Sequence, residues 1–397
     1  MAAAERDVFA YPYDQHDFDN GLRLIIAHFF EHMMFHGTPE VPPERYEDGL
    51  QETGASSNAY TDDDRTVYHT TITKEDFERI LAMEADRFRN LEYPLEAFQT
   101  EALAVLGEYN KDSAEPVNKL MEVLRDTAFD RHTYKHTTMG FLRDIEAMPR
   151  MYDYSRTFFD RFYRPEYTTL VVVGDVDPGQ VRAQVERHWG GWQRGSYVCR
   201  VPAEPQQEGA RHAHIPWETH TLPYLMVAHR STAYSDAATD CAVLDLISYL
   251  GFSENSPLYE RLVIEEQTVD LLWASNADHV DPYLFTVLAR VKEDSDVPAV
   301  QQAILETLAG FAGQPVEAGR LEDVKSHLRY RFALGLNHSE AIASTLAHYV
   351  SLRRTPETVN RLYRLYETVT PEDVMRAART FFTESGRTIV TLAEASK

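Results

Sequence analysis

Apolar positions along the chain change their period several times, and those changes mark out the elements. Short β-prone runs predict strands at about 20–27, 57–61 and 64–72. Apolar residues recurring every three to four positions predict helices at about 28–36, 42–53, 74–91, 95–112, 117–130 and 149–163. Thr168 to Val173 reads as a strand closed by Gly174-Asp175, and Asp177-Pro178 opens another helix. Between residues 190 and 216 the pattern dissolves into Gly, Pro, Gln and Glu, which predicts a linker with a boundary near residue 205. Beyond it the order recurs: a strand at about 219–229, helices near 236–250 and 256–266, strands near 268–275 and 282–292. Helices then run to about 382, and the strand Thr388 to Leu392 closes the chain. The expected fold class is α+β. Residues 1–204 and 205–397 form two related halves, each a mixed or antiparallel sheet packed by helices in an α/β-sandwich-like arrangement.

A length of 397 residues fits two domains better than one core. With 43% hydrophobic and 26% charged residues the composition is that of a folded protein, and no apolar run reaches the roughly 18 to 20 residues of a membrane span. Glu5, Asp7, Asp14, Asp17 and Asp19 deny the first residues the basic start and apolar stretch of a secretory signal. A soluble protein is expected, with its compartment left open between cytoplasm and, if a signal has been trimmed, periplasm. The net charge of −24 argues against nucleic acid as a partner, because neutralising phosphates needs clustered Lys and Arg. Its plain reading is a solvated acidic surface, and its sharper reading an acidic face that attracts basic peptides. Cys199 and Cys241 are too few and too far apart for a disulfide framework or a cysteine-based zinc site.

The chemistry is concentrated in His28-Phe-Phe-Glu31-His32. Residues four apart on a helix lie one above the other, so both imidazoles face the same way, and Glu31 stands at the edge of that face. Two imidazoles and a nearby carboxylate are what a hydrolytic zinc site uses, but it also needs a third protein ligand. Glu101 and Glu108, two helical turns apart in the predicted helix 95–112, supply candidates. Spacing alone leaves Glu108 open between ligand and ordinary surface carboxylate. His36 continues the stripe but precedes Gly37, where the helix should end, so a structural or solvent-facing role is expected for it. His69, His132 and His136 have no partners at ligand spacing and are expected to be structural. The corresponding helix of the second half reads Cys241-Ala-Val-Leu-Asp-Leu-Ile-Ser-Tyr-Leu250, so a single metal, held by the first half, is expected.

The stretch His28-Phe-Phe-Glu-His-Met-Met-Phe-His-Gly-Thr38 resembles the motif helix of the pitrilysin, insulysin and mitochondrial processing peptidase family. In that family the third zinc ligand is a Glu 76 residues after the second His, the spacing of Glu108 from His32, and a supporting Glu stands seven residues earlier, where Glu101 is. Asn58-Ala-Tyr-Thr61, Thr66-Val-Tyr68, His132 to Gly140 and Arg164 to Pro178 carry the resemblance further along the chain. It implies one Zn2+ per chain on His28, His32 and Glu108, supported by Glu101. Metal-activated water with Glu31 as general base would hydrolyse peptide bonds in extended peptides or unfolded segments. Ser57, Asn58, Ala59, Tyr60 and Thr61 would form an edge strand that receives the substrate as an added strand. The resemblance further implies halves that enclose a chamber, and dimers with a second copy or a related chain.

Two departures stand out. Family members insert a strand-turn-strand excursion before the motif helix, whereas Asn20 to Ala27 runs straight into His28 with no capping residue, so the first half reads as lacking that segment. Where many members carry an Arg and a Tyr seven residues apart in the second half, this chain has Val263 and Asp270. Two readings therefore stay beside the peptidase: a non-catalytic subunit like the core proteins of the respiratory cytochrome complex, and a weakly active deletion variant.

Overall fold

A computed structural model describes residues 25–395. They form two compact units. One comprises the chain up to Lys111 with Arg131–Leu170 and Gly174–Glu204, and the other Asp112–Asp130, Val171–Val173 and Pro205–Lys397. A single cut at residue 204 therefore misplaces the helix Pro116–Ala128. Its apolar residues Leu120, Leu124 and Ala128 are fully buried, and it packs on strands of the second unit.

In the first unit, α1 covers residues 25–33 and tightens into a 3-10 turn at Met34–His36. The strand expected at 20–27 is thus helix from residue 25, its earlier part lying outside the described residues. The reason is visible in the pairs Ile25-Ile26, Phe29-Phe30 and Met33-Met34. All six are fully buried, and adjacent residues cannot both face one side of a half-buried strand, whereas pairs recurring every four positions make one helical stripe. Ala27-His28 consequently lies inside the helix, so the junction read there as a deletion is not a strand-to-helix boundary. Gly37 ends the turn with φ 73°, where an added Cβ would lie 2.5 Å from the Val41 carbonyl oxygen.

There follow α2 (Pro43–Thr53), β1 (Ser56–Thr61), β2 (Thr66–Thr71), α3 (Phe77–Asn90) and α4 (Leu95–Asp112). β1 and β2 pair antiparallel from Ser56↔Thr71 to Thr61↔Thr66. The helix α5 (Pro116–Ala128) belongs to the second unit, and α6 (Leu142–Ala147), α7 (Tyr152–Phe162) and α8 (Pro178–Trp189) complete the first. The segment Thr168 to Val173, expected as a strand, pairs with no strand among the described residues, and Leu170 and Val172 are exposed.

The second unit holds a five-stranded sheet in the order β3-β7-β4-β6-β5, with β3 (Arg211–Trp217) parallel to β7 (Arg387–Glu394). The remaining pairs, through β4 (Tyr224–Arg230), β5 (Val269–Asn276) and β6 (Leu284–Val291), are antiparallel. β3 falls in the stretch expected to be linker. Exposed His212, His214 and Pro216 alternate with more buried Arg211, Ala213, Ile215 and Trp217, and the strand lies at the sheet edge, where Pro216 is tolerated. The helices are α9 (Asp240–Phe252), the single turn α10 (Pro257–Tyr259), α11 (Val297–Gly313), α12 (Ala318–Gly335), α13 (Ser339–Arg353), α14 (Glu357–Thr368) and α15 (Pro371–Phe381). Both units mix helix and sheet, the α+β class expected from the sequence.

Beneath α1, Arg87 of α3 is 2% exposed, with Phe35, Tyr46, Tyr68 and Phe88 rings 5.0–5.8 Å from its guanidinium carbon. It donates to Glu84 Oε2 at 2.6 and 2.9 Å and to the Met34 carbonyl at 3.4 Å. Arg87→Met should leave the largely covered Glu84 without its cation and lower the stability of the first unit by about 3 kcal/mol. Urea unfolding measures this, and a loss below about 1 kcal/mol would mean that the rings rather than the ion pair hold the site together.

Candidate metal centre

Helix α1 presents His28 and His32 one turn apart, their rings 5.1 Å between centroids and nearly perpendicular. Helix α4 brings Glu108 to both. Its Oε2 lies 3.6 Å from His28 Nε2 and 3.5 Å from His32 Nε2, and the donor atoms of the three residues lie within 4.8 Å of one another. Zinc bonds of about 2.0–2.2 Å to nitrogen and carboxylate oxygen place tetrahedral ligands roughly 3–3.6 Å apart, so the residues present fit such an ion. The donor set is also chemically suitable: two neutral imidazoles and one carboxylate leave a position open for water.

Glu101, two turns before Glu108 on α4, reaches the same helix. Its Oε2 is 3.4 Å from His32 Nδ1, and its Oε1 is 3.1 Å from His36 Nε2. Nδ1 of His32 is thereby engaged, which leaves Nε2 turned toward Glu108. His36 was expected to be structural or solvent-facing; it holds the second oxygen of Glu101. The clue in the sequence was the unbroken four-residue stripe His28, His32, His36, outweighed by the adjacent Gly37. Bonds from His32 first and His36 second hold the Glu101 carboxyl down at about 2, and the same bond from Glu101 raises His32 above 6.5 against the opposing effect of burial.

Glu31 sits beside the pair without joining the cluster. Thr61, at the end of β1, donates to its Oε2 at 2.9 Å and lies 3.1 Å from the Thr66 hydroxyl across the hairpin. The five residues Ser57 to Thr61 all lie on β1, which is bonded to β2 and belongs to a two-stranded sheet. His132 and His136 are buried elsewhere, bonded to the backbone of Tyr134 and Thr137, and His69 stands on β2 opposite Asn58. Asp270, where the resemblance looks for a tyrosine, is bound by both arms of Arg290 at 2.8 and 3.0 Å.

Three tethers hold the motif helix in place. Phe29 meets Phe98 of α4 with ring centroids 4.9 Å apart, and Phe30 stacks on Phe158 of α7 at 5.3 Å. The Tyr68 hydroxyl donates to the Phe30 carbonyl at 3.1 Å and lies 2.6 Å from the Tyr163 hydroxyl.

Residues 20–141 match the insulinase family, peptidase family M16, and residues 151–328 match the family's second model, described as the peptidase M16 inactive domain. The chain belongs to this family. It is 24% identical over 374 residues to a zinc protease, PqqE, of Helicobacter pylori, covering 92% of this chain and 83% of that one. It is 21% identical to the mitochondrial-processing peptidase subunit beta of Blastocladiella emersonii, over 92% of this chain and 79% of that one. The fold is similar to the crystal structure of a protease from Helicobacter pylori, with TM-score 0.86 at 23% identity, covering 93% of this chain and 89% of that chain.

The raised His32 contributes stability below its unfolded value of about 6.5, lost as pH rises through the folded value; the depressed Glu101 contributes above about 4.5, lost as pH falls toward 2. In metal-free protein, NMR titration should find His32 protonating above 6.5, and Glu101→Gln should return it toward 6.5. An unmoved His32 would show that Glu101 does not govern its basicity.

Proposed function

We propose that this chain is a zinc-dependent endopeptidase acting on extended peptides or unfolded segments. The reading is carried by the convergence of His28, His32 and Glu108 beside Glu31. His28, His32 and Glu108 hold one zinc ion. Bound there, zinc supplies the Lewis acidity that makes water nucleophilic near neutral pH and stabilises developing negative charge on the scissile carbonyl. Glu31 takes the proton of the attacking water and delivers it to the departing amine. The Thr61 hydroxyl occupies one Glu31 oxygen and so fixes the carboxylate's orientation, leaving the other for the proton.

Glu101 keeps His32 turned toward the metal, and His36 keeps Glu101 in place. Substrate adds along β1 as a further strand through Ser57, Asn58, Ala59, Tyr60 and Thr61. Such binding reads backbone more than side chains, and Thr61 joins the strand directly to the proton carrier. Pairing with a second copy or a related chain belongs to the same reading.

The test is cleavage of a mixed quenched-peptide library together with zinc content. Glu31→Gln should lower cleavage by about 10²- to 10⁴-fold with zinc content unchanged. Glu108→Gln should lose both zinc and cleavage. Zinc-loaded wild type that cleaves nothing, while its unfolding remains cooperative, would refute the peptidase reading and favour a structural subunit.

A further inference from the structure

Helix α9 of the second unit repeats the four-residue spacing of the motif helix with different side chains. Cys241 and Asp245 lie one turn apart on it, Cys241 only 1% exposed. Asp278, in the segment after β5, meets both, and the donor atoms of Cys241, Asp245 and Asp278 lie within 4.8 Å of one another. The Cys241 thiol donates to Asp278 Oδ1 at 3.3 Å, and His348 of α13 places Nε2 3.3 Å from Asp278 Oδ2. Around these groups stands a fixed frame. Asn276 donates to Asp245 Oδ1 at 3.1 Å and accepts from Ser231, and the Tyr366 hydroxyl donates to Asp245 Oδ2.

This arrangement is costly in a metal-free protein. Two carboxyl groups and a thiol share one low-dielectric space, and among the described residues neither carboxyl pairs with Lys or Arg. A cation at their centre would take the thiolate and both carboxylates as ligands in place of the Cys241 to Asp278 hydrogen bond.

We propose that Cys241, Asp245 and Asp278, with His348 adjoining, form a second cation site, independent of the first, for a divalent thiophilic transition metal of the zinc type. Sulfur with carboxylate and imidazole donors suits zinc and cobalt, whereas all-oxygen sites suit magnesium and calcium. Binding exchanges the Cys241 S–H bond for a sulfur–metal bond and releases that proton, together with any carried by Asp245, to solvent. Asn276 and Tyr366 orient Asp245. Both carboxylates at this site are ligands in the proposal, leaving none of them to act as Glu31 does, so the ion braces the α9 helix against the segment after β5 rather than taking part in hydrolysis.

The two sites differ in one observable property: His28, His32 and Glu108 contain no sulfur. Cobalt(II) titrated into the metal-free full-length chain should bind at two equivalents, with a thiolate-to-cobalt charge-transfer absorption. Cys241→Ser should abolish that absorption and leave one equivalent. Cys199→Ser should leave the absorption intact, and Glu108→Gln should keep it while losing the other equivalent. Should Cys241→Ser fail to fold, Asp278→Asn serves in its place and should weaken the thiolate-linked equivalent at least tenfold. No thiolate absorption at saturating cobalt, or one that follows Cys199, overturns the proposal whether or not the chain cleaves peptides.

Discussion

Two imidazoles one helical turn apart can share a cation only if their helix is locked against the helix bearing the third ligand, because a displacement of about 1 Å undoes a coordination geometry. In this chain the lock is built mostly from aromatic packing. Phe29 and Phe30 carry α1 onto α4 and α7, Tyr68 clamps the backbone at Phe30, and Arg87 clamps it at Met34. The polar groups arranged around that lock are alternately acidic and basic. Glu108 meets His28 and His32, His32 also meets Glu101, and Glu101 meets His36, so each carboxylate is shared between two imidazoles.

That alternation explains how one helix can serve both binding and proton transfer. Side chains at 28 and 32 point toward α4, while Glu31, one residue earlier than His32, is rotated out of the stripe and meets β1 instead. The strand that would receive a peptide is therefore tied to the group that would move the proton. The same helical spacing in α9 produces a different chemistry because the residues differ. A thiol and a carboxylate stand where imidazoles stand in α1, and the surrounding tyrosine and asparagine hold the carboxylate rather than tune a base.

How much of this was legible in the sequence depended on how local each signal was. His28 and His32 declare their common face through spacing alone, and helix α4 was readable from its period, so Glu101 and Glu108 could be placed on one side of it. What spacing could not supply was the meeting of the two helices, and there the family resemblance, not geometry, pointed to Glu108. The start of α1 was misread because Leu22 to Ile26 is β-prone in composition, while the adjacent buried pairs that mark a helix are a pattern across positions. β3 was missed because its short alternation is interrupted by Pro216 and follows Pro205 and Gly209, the signals of a linker, and Thr168 to Val173 pairs with no strand among the described residues. The cluster at Cys241 was invisible for a further reason: Asp278 and His348 come from separate segments, and only the folded chain brings them to α9.

The central claim, that His28, His32 and Glu108 jointly bind one zinc ion, is tested most directly by anomalous diffraction at the zinc absorption edge from crystals of the zinc-loaded protein. The account predicts an anomalous peak within bonding distance of Nε2 of both histidines and of a Glu108 carboxylate oxygen. Density for zinc that leaves any of these three side chains uncoordinated, or no zinc between α1 and α4 at all, would contradict it.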